Sequence, residues 1–193
     1  TGKHKFMHGV RPDFSNNNKW AAFLIGVSED KAEKLEKQKK PVRYKLGLMN
    51  LSTAEVDTFE KVQSYRFSDD GNYLAMKKYQ AEGVKTDGSD LILRDLSAGT
   101  NQLIGNVAEY GFNDGGTKLA VLLDANEQLG NGVHLYDLAS GKITVLDSDT
   151  NKYKDLTWDE DGSALAFLKT KENDDFKDPT HQKCGRRNPE IYF

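Results

Sequence analysis

Cysteine is almost absent: Cys184 is the only one in 193 residues, so the chain can form neither an internal disulfide framework nor a cysteine-rich zinc site. Proline is scarce too, with four residues against 17 glycines, and a 10% share of aromatics excludes a disordered chain despite 30% charged residues. Charge of one sign is also lacking. With 27 basic and 30 acidic residues the net charge is −3, so no global field gathers nucleic acid or anionic lipid, and neither a nucleic-acid partner nor a membrane is expected. No apolar run reaches the roughly 18 to 20 residues of a membrane-spanning helix. Nor does an apolar segment follow Thr1-Gly2-Lys3-His4-Lys5 as in a signal peptide, so any export signal is expected upstream. A length of 193 residues by itself suggests one domain or slightly more.

What the chain does have is self-similarity, which takes precedence over any assignment of single elements. Four segments repeat an aromatic residue, a polar turn and an apolar strand. They start at Phe14-Ser15-Asn16-Asn17-Asn18, Phe67-Ser68-Asp69-Asp70-Gly71, Phe112-Asn113-Asp114-Gly115-Gly116 and Trp158-Asp159-Glu160-Asp161-Gly162. The aromatic positions 14, 67, 112 and 158 lie 53, 45 and 46 residues apart. About 45 residues is the length of a four-stranded propeller blade, not of a short solenoid turn. A second pattern follows at a steady offset: Leu48-Met49-Asn50-Leu51, Leu93-Arg94-Asp95-Leu96 and Leu135-Tyr136-Asp137-Leu138. Each is an apolar strand ending in a polar turn, with Gly99 and Gly141 where a left-handed backbone suits a hairpin. Val56 to Val62, Asn101 to Ile104 and Ile143 to Leu146 then resume a strand pattern, so one unit holds four short strands.

The Asp-rich segments read as turn formers, because Asp and Asn side chains bond the backbone two residues on and a following Gly accepts positive φ. A calcium or acid–base set at Asp69, Asp70, Asp159 and Asp161 is the alternative. Against it, the first repeat has Asn16 and Asn17 instead, and no later glutamate completes an EF-hand spacing. Between the second and third strands of the first unit, Glu29 to Lys40 mixes charges at helical spacing, with only Ala32 and Leu35 apolar, and stops at Pro41. This predicts an exposed, partly helical loop. The shorter loops Gln80 to Asp90 and Asp124 to Gly132 take the same place in the next two units and are expected to be equally solvated.

These patterns predict an all-β fold, a partial β-propeller of TolB-like or WD40-like four-stranded antiparallel blades, about three and a half of them. The propeller is expected over residues 1–182, with blades at about 9–62, 63–107 and 108–152 and an incomplete one at 153–182, followed by a non-repeat tail at 183–193. The simplest expectation is a fragment of a longer protein, prone to association through its open faces.

The Lys/Glu-rich loop before Leu46-Gly47-Leu48-Met49-Asn50-Leu51 leads the motifs in chain order. It is followed by the turn at Phe67, Leu91-Ile92-Leu93-Arg94-Asp95-Leu96, Gly130 to Leu138, and Trp158 to Phe167 running on to Thr180-His181. In this order they resemble the N-terminal propeller of bacterial prolyl-oligopeptidase-type serine peptidases (family S9, with the acylaminoacyl and dipeptidyl aminopeptidases), over roughly residues 9 to 182. The resemblance implies a C-terminal α/β-hydrolase domain of the same chain with a Ser-Asp-His triad. The propeller would then gate a peptide substrate's access to that triad, in a periplasmic or secreted enzyme. The same turns occur in TolB-like and WD40-like scaffolds, so a non-enzymatic protein-interaction module is the alternative function. A propeller glycosidase or lyase would need carboxylates on inner strands, whereas the Asp-rich sites here lie in hairpin turns.

No catalytic residue is carried over. The chain contains no Gly-x-Ser-x-Gly elbow, and Ser89 and Ser163 fall at turns or strand edges. His4, His8, His134 and His181 are scattered, without metal-ligand spacing, and His134 reads as a half-exposed strand residue. No catalytic, cofactor-binding or metal residue and no cofactor is expected.

Overall fold

The computed structural model describes residues 3–172 and 187–192. The first repeat forms an antiparallel sheet of β1 (Gly9–Phe14), β2 (Trp20–Ile25), β3 (Lys45–Asn50) and β4 (Val56–Phe59) in sequence order, with α1 (Glu29–Lys37) inserted between β2 and β3. The second repeat gives β5 (Val62–Phe67), β6 (Tyr73–Lys78), β7 (Ser89–Asp95) and the opening of β8 (Thr100–Phe112). The third takes the rest of β8 with β9 (Lys118–Leu123), β10 (Gly132–Asp137) and β11 (Ile143–Ser148). The fourth consists of β12 (Lys152–Trp158), β13 (Leu165–Glu172) and β14 (Arg187–Tyr192). The fold is all-β, a partial propeller built from antiparallel blades.

Two compact units result: Thr1–Tyr79 with Leu91–Leu103, and Gln80–Asp90 with Ile104–Phe193. Each pairs two consecutive blades. The middle strands β2, β3, β6 and β9 are near-continuous apolar runs with buried centres, as expected of strands covered on both faces. The outer strand β11 alternates nothing and stays largely exposed. In the first unit Ala22, Leu24, Leu46 and Leu48 of one blade pack on Val62, Phe67, Leu74, Met76 and Leu96 of the next. Gly47 faces Phe23 across the β2–β3 pair, and a methyl group there would lie 2.7 Å from the ring, so glycine makes room for the aromatic.

The first strand of every blade bulges against the second. Register shifts fall between Val10 and Asp13, Val62 and Ser64, Val107 and Glu109, and Lys154 and Thr157. Non-glycine residues in the left-handed region stand inside or directly before all four kinks: Arg11 at φ 50°, Lys61 at φ 57°, Asn106 at φ 57° and Asp155 at φ 57°. A bulge kinks a strand and re-aims the side chain at the extra residue.

Three features differ from the sequence expectations. The boundary at 107/108 falls inside β8, because Asn101 to Phe112 contains no turn and its bend is absorbed at Asn106 alone. The stretch Val56 to Val62 divides into β4 and β5, with Lys61 at φ 57° between them. Beyond residue 182, where no further strand is expected, Arg187–Tyr192 pairs antiparallel with β13 from Glu172↔Arg187 to Phe167↔Tyr192. Pro189 and the flanking charges hide the strand alternation there.

Candidate functional site

The four aromatic-led turns share one device that their composition conceals. The side-chain oxygen of the residue after each aromatic accepts the backbone N–H at the start of the next strand. Trp20 N donates to Ser15 Oγ at 3.0 Å, Tyr73 N to Ser68 Oγ at 2.9 Å, Lys118 N to Asn113 Oδ1 at 2.7 Å, and Ala164 N to Asp159 Oδ1 at 2.9 Å. Ser, Asn and Asp are interchangeable because each offers an acceptor at that reach. Asp159 is held below the usual carboxylate range, first by the Ala164 N–H and then by Ser163.

Within each unit the turns also grip each other. Asn17 Nδ2 donates to Gly71 O at 2.7 Å, and Asn16 Nδ2 donates to Asp69 O at 2.9 Å and to Asp69 Oδ1 at 2.8 Å. In the second unit Asn113 Nδ2 donates to Gly162 O at 3.4 Å. The Asn residues of the first repeat are therefore donors to the next turn. Gly71 and Gly162 stand at φ 70° and 65°, and an added Cβ would lie 2.8 Å from Asn17 Cγ and 2.6 Å from Asp114 N respectively. Both the left-handed backbone and the close approach require glycine there.

The second unit holds two polar clusters. Asp124, whose side chain is only 4% exposed, accepts Asp87 N at 2.7 Å and pairs with Lys152 at 3.2 Å. Beside it, Asn131 Oδ1 accepts Ala125 N at 2.7 Å and Asn131 Nδ2 donates to Asn151 O at 3.0 Å. The loops 80–90 and 124–132 are thus not equally solvated. Asp124 and Asn131 are buried; Asp124 clamps one loop to the other and Asn131 ties its own loop to Asn151, an arrangement that their polarity alone suggests is surface. In the second cluster Lys169 Nζ lies 3.0 Å from Asp147 and 2.8 Å from Asp149, and Tyr153 Oη donates to Asp147 at 3.0 Å. Lys169 is raised, first by its bond to Asp149, and Asp149 is drawn down to about 2, first by Lys169 and then by the Thr150 N–H. Desolvation pushes Asp147 up, but the bonds from Lys169 and Tyr153 outweigh it and leave the group low. Every carboxylate here is matched by a donor, so these clusters brace the blades.

The first unit presents two clefts. An open one of about 760 Å³ lies between α1 and the segment after it, lined by Glu29, Ala32, Glu36, Lys39 and Pro41, and no residue of α1 is buried. The exposed helical excursion expected from the charge spacing is present. The other, of about 310 Å³, opens at the β1 bulge and is lined by Arg11, Pro12, Asp13, Leu24, Ser64 and Tyr65. Tyr65 Oη bonds Arg11 O and, at 3.0 Å, Ala22 O. Burial, then the Asp13 charge, push the Tyr65 phenol up to about 12, so it remains a donor.

Of the residues weighed in the sequence, Asp70 takes Ser68 Oγ at 2.6 Å and Asn72 N at 3.0 Å, the bonds of a turn former. Ser163 Oγ donates to Asp159 at 2.9 Å in the same kind of turn. Ser89 opens β7 with a buried hydroxyl that has no partner among the described residues. His134 sits half-buried in β10, where desolvation lowers its imidazole. Among the described residues no group of three or more potential ligands could hold a metal. His181 and Cys184 lie outside the described residues. The Arg11 cleft is what sequence reasoning missed; a proline inside a strand is the signal that marks its bulge.

No protein-family model matches the chain. No curated protein matches it either. Solved structures do. The β-propeller domain of the Trilobed protease from Pyrococcus furiosus, described as having an open velcro topology, is similar at a TM-score of 0.53 and 14% identity, covering 100% of this chain and 56% of that one. A eukaryotic initiation factor is similar at 0.52 and 13%, covering 84% of this chain and 40% of that one. An acylaminoacyl peptidase, solved with Z-Gly-Gly-Phe-chloromethyl ketone, is similar at 0.50 and 11%, covering 95% and 32%. This chain therefore spans about half the length of the first and less of the others, and the likeness establishes the propeller fold.

Proposed function

We propose that this chain is the substrate-gating propeller portion of an S9-type serine peptidase, with hydrolysis carried out by an α/β-hydrolase domain of the same protein. The observation that carries the reading is the likeness of the entire chain to the propeller domain of the Trilobed protease. The ordered blade motifs with the helical excursion after β2 agree with it. In this role the chain contributes no nucleophile. Its blades exclude folded proteins and admit peptides, so its effect is on which substrates reach the triad. Peptides, and the hydrolase domain, are its partners.

The test is to express the whole encoded protein, label it with a fluorophosphonate probe, and assay short peptides against a folded protein substrate. Labelling of one serine, with cleavage of peptides and sparing of the folded substrate, is expected. Absence of labelling and of peptide cleavage would sink the reading. A second reading, a protein-interaction scaffold without activity, is favoured by the likeness to the initiation factor. It predicts a stable protein partner on pull-down and no amidase activity in the complex.

A further inference from the structure

We infer that the cleft at the β1 bulge binds the carboxylate end of a peptide, seated on Arg11 and Ser64 with its last side chain against Pro12 and Leu24. The inference rests on this chain's own residues and stands whether or not a hydrolase domain accompanies it.

The backbone comes first. Arg11 occupies the left-handed region at φ 50° directly before Pro12, although a residue preceding proline favours extended backbone. Such a conformation persists only where the surroundings hold it. Here the Tyr65 hydroxyl holds it by donating to Arg11 O. Pro12 has no N–H, so the bulge leaves no orphan donor at that position.

The side chains then define the ligand. No hydrogen bond or ion pair engages the Arg11 guanidinium or the Ser64 hydroxyl among the described residues, and both line the cleft. A guanidinium fork and a hydroxyl suit the two oxygens of one carboxylate. Asp13 stands two residues on with its carboxylate bonded to Phe14 N at 2.9 Å. It disfavours a second negative charge, which argues against a phosphate dianion. Its remaining lone pairs suit the N–H next to a chain end. Leu24 is buried beneath and Pro12 flanks it, giving an apolar floor for one side chain. A volume of about 310 Å³ lies at the small end of ligand pockets, enough for a chain terminus but not for a folded element.

The test uses the 193-residue chain and two probes, N-acetyl-Ala-Ala-Phe with a free carboxylate and the same peptide as its C-terminal amide. Binding is followed by amide and side-chain NMR shifts. The acid is expected to shift Arg11, Ser64 and Tyr65 saturably and to bind about tenfold or more tightly than the amide. Arg11→Gln should erase that preference, and Arg11→Lys should retain part of it; both variants keep the backbone demand unchanged, which a thermal melt verifies. Equal affinity for acid and amide, a preference that survives Arg11→Gln, shifts confined elsewhere, or displacement of the acid by equimolar inorganic phosphate would each overturn the inference.

Discussion

Where β1–β4 meet β5–β7, the buried contact is apolar: Leu24, Leu46, Leu48, Val62, Phe67, Leu74 and Met76 are buried together, with Trp20, Tyr44 and Phe59 around them, and one ion pair, Arg94 to Asp57 at 2.6 Å, joins β7 to β4 beside them. Where β8–β11 meet β12–β13, Leu122, Val133, Tyr153 and Phe167 form a smaller cluster, with the Lys169 and Asp124 clusters beside it. Both joints are apolar at the centre, but the first unit adds a single ion pair and the second adds two clusters of matched charges. Aliphatic contact depends on shape and tolerates pH; charge pairing depends on protonation and on every partner being present.

The sharpest way to break this comparison is to remove one buried group from each side. Leu48→Ala in the first unit should cost about 2–5 kcal/mol through transfer and cavity terms. In the second unit Asp124→Ala leaves Asp87 N without its acceptor and Lys152 with only its 3.6 Å pair to Asp87, and should cost about 2–4 kcal/mol. Hydrogen exchange under native conditions should show lost protection confined to the unit carrying the change. Uniform loss across both would show that the two units open as one.

A smaller difference is expected at the turns. Gly162→Ala forces a methyl to 2.6 Å from the Asp114 backbone, while Gly71→Ala meets the Asn17 side chain at 2.8 Å, which can yield, and the Asn17 backbone only at 3.0 Å. Both carry the left-handed penalty of about 1–2 kcal/mol, and chemical denaturation should find Gly162→Ala the worse. Equal losses would mean that φ alone matters.

Acid should separate the units further. Asp149 has a depressed pKa of about 2 and Asp147 is also lowered. Their stabilisation is therefore fully present above the ordinary carboxylate range of about 4 and is lost as pH falls through the depressed folded values. Lys169→Met should flatten the fall in melting temperature between about pH 4 and 2, and added salt should mimic it in part because the cluster is partly exposed. The turn carboxylates Asp95, Asp137 and Asp159 are lowered as well and contribute a background in both units that the substitution leaves in place. A melting curve unchanged by Lys169→Met would remove the charge pairing from the explanation.

The smallest effect lies at Ala54, which stands at φ 64° where the matching repeats have Gly99 and Gly141 at φ 68° and 69°. Ala54→Gly should stabilise the first unit by about 0.5–1 kcal/mol, relief of the left-handed strain outweighing the added chain entropy. A thermal melt with no rise would show that the turn is already relaxed.

Blade order and strand type are legible in the sequence because each is carried by local chemistry: Phe67 to Gly71 or Leu93 to Gly99 encodes its own hairpin. The exposed α1 is legible for the same reason, since its charges are spaced on one element. The Asp124 clamp is not, because a buried Asp pairing with a distant Lys152 and the Asp87 backbone has no local signature. The Arg11 cleft is half legible: Pro12 announces an irregular strand, but Tyr65, which closes the bulge, comes from the next repeat. Asn16 and Asn17 look like departures from an acidic consensus until their amides are seen to serve the neighbouring turn.

The grip of one turn on the next has a bearing on how such a chain can vary. Gly71 and Gly162 present the same bare carbonyl, yet their donors come from different places in the preceding turn, the fourth residue of the motif at Asn17 and the second at Asn113. The socket is fixed while the plug can move. At both joints the glycine carbonyl is the same acceptor, and either of two motif positions can supply its donor. A change of donor position in one turn therefore needs no matching change in the turn that accepts it.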